Sequence, residues 1–131
     1  VVCIPRPPPP WPGLDEPGAA WGDAADVAAE PTATPGLHRR ELLDPADPAR
    51  DFTMSLMAFK PRAELGFVEI HDEEHGLYMT AGGGSYLLDG DEHSVLEGDF
   101  IYMAPYCPQW FRAGEEGAEY LLYKDVYRDG F

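Results

Sequence analysis

The chain has 131 residues, about one domain at the usual size of roughly 100–150 residues. It carries 24 acidic residues against nine basic ones, a net charge of −15 that disfavours nucleic acid and anionic membrane surfaces as partners. Its 14 glycines and 14 prolines are too many turn formers for a helical bundle, and no G-X-Y period suggests collagen.

Residues 1–37 come first and read as a Pro/Ala-rich extension, disordered or extended. Nine of the prolines lie there, including Pro7-Pro8-Pro9-Pro10 ahead of Trp11-Pro12, and no sustained apolar period runs through it. Ala24 to Glu30 has the composition of a turn or two of helix but is too short to be stable alone. From residue 38 to residue 131 the texture is that of a second unit. Short apolar or aromatic runs alternate with Gly, Pro and Asp turns, the pattern of an all-β sandwich or barrel. The spacing predicts strands near 53–59, 67–71, 75–81, 84–88, 93–96, 100–103, 109–113 and 118–126. Asp89-Gly90-Asp91, Glu97-Gly98-Asp99 and Gly114 to Gly117 are read as the tight turns between them. Eight short strands in so few residues suit a small double-sheet jelly roll.

The densest chemistry is Glu69-Ile70-His71-Asp72-Glu73-Glu74-His75. On a strand Glu69 and His71 project from one face, and Val68 and Ile70 from the other. His75 lies across a short acidic turn and can return over the same face. Two imidazoles and a carboxylate in one small pocket are costly to bury unless a divalent metal pairs with them. A solvated acidic loop with two incidental histidines is the competing reading. Asp72, Glu73 and Glu74 read as that solvated turn. On the last strand Tyr120, Leu122 and Lys124 share a face, so Tyr120 and Lys124 can line one pocket.

The wider spacing favours the metal. Glu69, His71 and His75 stand at relative positions 0, 2 and 6, with Gly82 seven further on, and Gln109 stands eleven after Gly98. These blocks resemble the two signature motifs of the cupin superfamily, with the usual His, His, Glu, His ligands permuted to Glu, His, His, Gln. The stretches FVEIHDEEHGLYM, EGDFIYMAPYCPQWF and YLLYKDVYRD resemble the C-terminal cupin of the (S)-ureidoglycine aminohydrolases, over about Asp44 to Asp129. The resemblance implies a single cupin, that is, a double-stranded β-helix or jelly-roll barrel. It implies a manganese enzyme, with iron as the alternative metal, that releases ammonia from (S)-ureidoglycine and leaves (S)-ureidoglycolate in purine and allantoin breakdown. It implies Glu69, His71, His75 and Gln109 as metal ligands and Tyr86, Tyr120, Lys124 and Glu69 as substrate contacts, with Glu69 and Lys124 catalytic. Two oxygen donors and two imidazoles without a thiolate suit manganese or iron better than a structural zinc.

The sequence also departs from that family. Its proteins carry two cupins where this sequence shows one, and Ala81 stands where they usually have a glutamate. A catalytically weak or truncated metal-binding cupin that holds a small metabolite is therefore the alternative function, and an iron oxygenase a further one. Surface left uncovered by a missing first cupin predicts a homo-oligomer.

No apolar run reaches the roughly 18 residues of a membrane-spanning helix, and no signal-peptide pattern opens the chain. Cys3 and Cys107 do not make a disulfide framework and are expected to be free thiols in a reducing compartment. An intracellular, cytoplasmic protein is expected, with the endoplasmic reticulum as the alternative for a plant-like source.

Overall fold

The computed structural model describes residues 18–126. Apart from one 3-10 turn, Ala24–Asp26, capped by the Asp23 carboxylate, the regular structure is all β. The strands are β1 (Glu30–Pro31), β2 (Leu37–Leu43), β3 (Phe52–Phe59), β4 (His75–Leu88), β5 (Asp91–Leu96), β6 (Phe100–Met103) and β7 (Gln109–Asp125). All pair antiparallel, in the order β1-β2-β3-β7-β4-β5, with β6 on the free side of the first half of β4.

The centre is the β4–β7 ribbon. Two strands expected at 75–81 and 84–88 are one strand, and so are those expected at 109–113 and 118–126. Gly114 to Gly117 is therefore not a chain reversal. Ala113 pairs with Gly84 and Ala118 with Gly82, so four residues of β7 bulge out opposite Gly83 alone. Gly117 takes a positive φ in that bulge and Gly82 takes one across from it. A Cβ on Gly84 would collide with the Arg112 carbonyl oxygen, so three consecutive glycines permit the close crossing of backbone.

The other two expected turns are present. Asp89 and Gly90 both have positive φ between β4 and β5, the geometry of a tight two-residue hairpin. Glu97-Gly98-Asp99 closes with the Leu96 amide donating to the Asp99 carboxylate at 2.8 Å. Two expectations need correction. Residues 67–71 form no strand: only Glu69 is bridged, to Gln109. Conversely β2 was not expected, because Leu37-His-Arg-Arg-Glu-Leu-Leu43 lacks apolar alternation. Only Leu37 of it is buried, and tertiary pairing with β3 makes it a strand.

No residue from 18 to 36 is buried. The segment is nonetheless laid on the sheet. Glu30 and Pro31 pair with Arg39 and His38, and the Arg40 guanidinium donates to the Val27 carbonyl. The prolines of residues 1–17, with Cys3, lie outside the described residues.

Inside, Phe111 packs between Phe59, Tyr86 and Tyr120, at centroid distances of 5.0, 5.4 and 5.7 Å. Leu37, Met57, Leu65, Leu77, Met79, Val95, Ile101, Met103, Ala113 and Ala118 complete the interior.

Candidate metal centre

His75 opens β4 and Leu88 closes it. His75 pairs with Lys124, near the end of β7, and Leu88 pairs with Gln109, at its start. In a straight ribbon those ends would stand roughly 40 Å apart, at about 3.3 Å per residue. They touch instead, because the glycine corner folds the ribbon back on itself. His75 Nε2 lies 3.0 Å from Gln109 Oε1.

Gln109 is the hub. It is buried, and its amide nitrogen donates to His71 Nε2 at 3.0 Å. Its amide oxygen accepts from His75 and from the Tyr86 hydroxyl, the latter at 3.2 Å. Its backbone exchanges two hydrogen bonds with Glu69, at 2.8 and 3.0 Å. The two imidazoles stack with centroids 4.8 Å apart. His71, His75 and Gln109 thus meet side chain to side chain, and Glu69 is registered beside them through its backbone. Among the described residues, no group of three or more His, Cys, Asp or Glu side chains converges as a cation cage. The side-chain cluster is two imidazoles and an amide, with the Glu69 backbone beside it.

The protons on the two imidazoles decide whether these residues fit a divalent ion. His71 Nδ1 donates toward both the Glu73 carbonyl, at 3.1 Å, and the Glu73 carboxylate, at 3.0 Å. Its Nε2 is therefore a bare lone pair facing inward. Burial, helped by the neighbouring His71 and Lys124 and opposed by the Gln109 bond, holds His75 below the ordinary imidazole value, so it is neutral near pH 7. Its one proton sits on Nε2 against Gln109. The Glu73 carbonyl, 3.4 Å from Nδ1, can accept that proton on the other nitrogen and free Nε2 as well. Two imidazole lone pairs and the Gln109 amide oxygen would then face one another, an arrangement that a shared divalent cation would satisfy in place of the Gln109 amide and Tyr86 hydroxyl donors that now serve it. The donor set fits an ion of the manganese or iron kind.

Two phenols back the cluster. Tyr86 and Tyr120 are both buried. Burial, reinforced by the charges of Tyr120, Glu69 and Cys107, pushes the Tyr86 hydroxyl far above the ordinary phenol value. Burial and Glu69 do the same to Tyr120. Both remain O–H donors at any physiological pH, and the Glu69 charge is felt at both. The Tyr86 proton is directed to Gln109 and to Met103 Sδ, 3.3 Å away, so Tyr86 also positions Gln109.

Lys124 lies on the same inward-facing set of β7 as Tyr120, as alternation requires. Its ammonium is 3.4 Å from the Glu73 carboxylate. Glu73 was expected to be solvated turn and is not. Partial burial raises its pKa, but its own backbone hydrogen bond, Lys124 and His71 together outweigh that and lower it. The missed signal was its position midway between two histidines on a tight turn, where one carbonyl can serve both rings. Cys107, a free thiol, packs against the core beside Gln109.

No family model matches the chain. Among solved structures, an RmlC-like cupin from Shewanella frigidimarina superimposes with a TM-score of 0.71 at 18% identity, over 86% of this chain and 95% of that one. The protein is a cupin by fold. The (S)-ureidoglycine aminohydrolase of Arabidopsis thaliana is 43% identical over 99 residues, 73% of this chain and 33% of the relative. That of Escherichia coli K12 is 38% identical over 92 residues, 67% of this chain and 35% of the relative. The structure of the Ylba protein of E. coli aligns with a TM-score of 0.76 at 29% identity, over 93% of this chain and 46% of that one. The chain is homologous to the (S)-ureidoglycine aminohydrolases over one cupin domain, and it spans about a third of the length of those curated relatives.

Proposed function

We propose that this cupin is a metal-dependent hydrolase that releases ammonia from (S)-ureidoglycine and leaves (S)-ureidoglycolate. The observation that carries the reading is the meeting of His71, His75 and Gln109, with Glu69 in register, in a chain homologous to enzymes of that name. Glu69, His71, His75 and Gln109 would hold the ion, manganese in preference to iron. When bound it supplies Lewis-acid polarisation of the substrate's oxygens.

The chain's own residues do the rest. Lys124, at the rim beside His75, pairs with the substrate carboxylate, which would otherwise be buried without a partner. Tyr120 and Tyr86, kept protonated by burial, offer hydroxyl donors to the ureido oxygen and to Gln109. Glu69 would combine ligation with proton transfer, taking a proton from the attacking water, whose oxygen bonds to the substrate carbon, and passing it to the amine nitrogen that leaves as ammonia. The hydrophobic wall of Phe59, Phe111 and Met103 excludes water from the inner side.

The test is ammonia release from ureidoglycine by the protein with added Mn2+ under anaerobic conditions. Turnover without oxygen supports the reading, and strict oxygen dependence replaces it with an iron oxygenase. The second reading is a metal-binding cupin without turnover. Mn2+ binding with no ammonia would establish it.

A further inference from the structure

Glu73 touches both imidazoles and the Lys124 cation. Its carbonyl faces Nδ1 of His71 and of His75, at 3.1 and 3.4 Å. One carboxylate oxygen lies 3.0 Å from His71 Nδ1, and the other lies 3.4 Å from Lys124 Nζ. Lys124 is only about a quarter exposed, so the pair is partly shielded from water and salt. Any anionic ligand that uses Lys124 must therefore compete with a carboxylate already in place. The same carboxylate, by accepting the Nδ1 proton of His71, keeps Nε2 of that ring bare and more basic.

We propose that Glu73 is a positioning and specificity residue that favours the metal and opposes the anion: it aims His71 inward while holding Lys124 in reserve against weak carboxylate ligands. Only a ligand with further anchors, such as a ureido group reaching the interior, displaces it profitably. The proposal rests on the functional reading above for the identity of the ion and of the anion.

The test uses the full chain, with Mn2+ and N-carbamoylglycine as probes, the latter a stable molecule carrying both a carboxylate and a ureido group. Glu73→Gln keeps the backbone carbonyl and the side-chain shape but removes the charge. Mn2+ affinity should fall about tenfold, the lower end for loss of a group that supports a ligand. Affinity for N-carbamoylglycine should rise several-fold, with or without Mn2+, and the gain should vanish in Glu73→Gln/Lys124→Met. Asp72→Asn, an exposed neighbour of equal charge, should leave both affinities unchanged. If Asp72→Asn matches Glu73→Gln, net charge alone is responsible and the proposal is overturned. A parallel fall in both affinities would make the role merely structural and overturn it too. Failure of the parent to bind Mn2+ defeats the functional reading, while the metal-free anion comparison still decides Glu73. If neither parent nor Glu73→Gln then binds the anion, the proposal is overturned as well.

Discussion

At the scale of single residues, the site is a set of buried and half-buried polar groups that hydrogen-bond one another, each with different partners. Each should therefore fail in its own way. His71→Ala should remove most Mn2+ binding, because it deletes an inward lone pair and leaves Gln109 without its acceptor; titration calorimetry reads the loss directly. Lys124→Ala should abolish or greatly weaken turnover while metal content, measured by elemental analysis, stays intact. Lys124→Arg should rescue little, since a planar guanidinium on a longer stem does not reproduce a compact ammonium. Parent-like ureidoglycine hydrolysis by both variants would make Lys124 a surface charge. Tyr86→Phe should cost about 1 kcal/mol in a denaturant titration, for the lost hydrogen bond to Gln109, whose oxygen keeps His75 as a partner.

At the scale of elements, the decisive feature is the folded β4–β7 ribbon and its glycine corner. Gly84→Ala should destabilise by about 2 kcal/mol or more, because the new methyl meets the Arg112 carbonyl in a backbone that cannot yield. Gly90→Ala, in the β4–β5 hairpin, has open space around it and should cost only the roughly 1 kcal/mol of a positive φ. A thermal melt of both variants tests the ranking, and equal losses would show that the corner tolerates the extra methyl. The corner also acts on function, since it is what returns Gln109 to His75. Gly84→Ala should therefore weaken Mn2+ binding although it touches no ligand.

At the scale of the molecule, the interior and the outer face differ in kind. Aromatic residues fill the inside, yet Tyr78, Phe100, Tyr102 and Tyr123 are 46 to 81% exposed, on neighbouring strands of one outer face. Tyr78 pairs with Phe100, while Gly76 stands between Tyr102 and Tyr123, so these rings form adjacent rows. Exposed rows of this size usually mark an interface. A homodimer or larger assembly is expected by light scattering, and Phe100→Asp should shift it toward monomer. A monodisperse monomer at high concentration would count against it. No helix among the described residues is long and apolar enough to cross a membrane.

The sequence by itself determined the all-β class, the hairpin at Asp89-Gly90 and the tight turn at Glu97-Gly98-Asp99, and it singled out Glu69, His71, His75 and Gln109 as candidates for a site. Turn chemistry and strand alternation are local, and the 0, 2, 6 spacing of Glu69, His71 and His75 is readable without a fold. Local signals could not tell a reversal from a bulge at Gly114 to Gly117, because glycine permits both. Nor could they reveal β2, whose polar residues become a strand only because β3 offers a partner. Only the tertiary structure decided that His75 and Gln109, 34 positions apart, share a hydrogen bond, and that Glu73 faces Lys124. Those contacts depend on how a long ribbon closes on itself, a property of pairing between distant segments that no window of neighbouring residues contains.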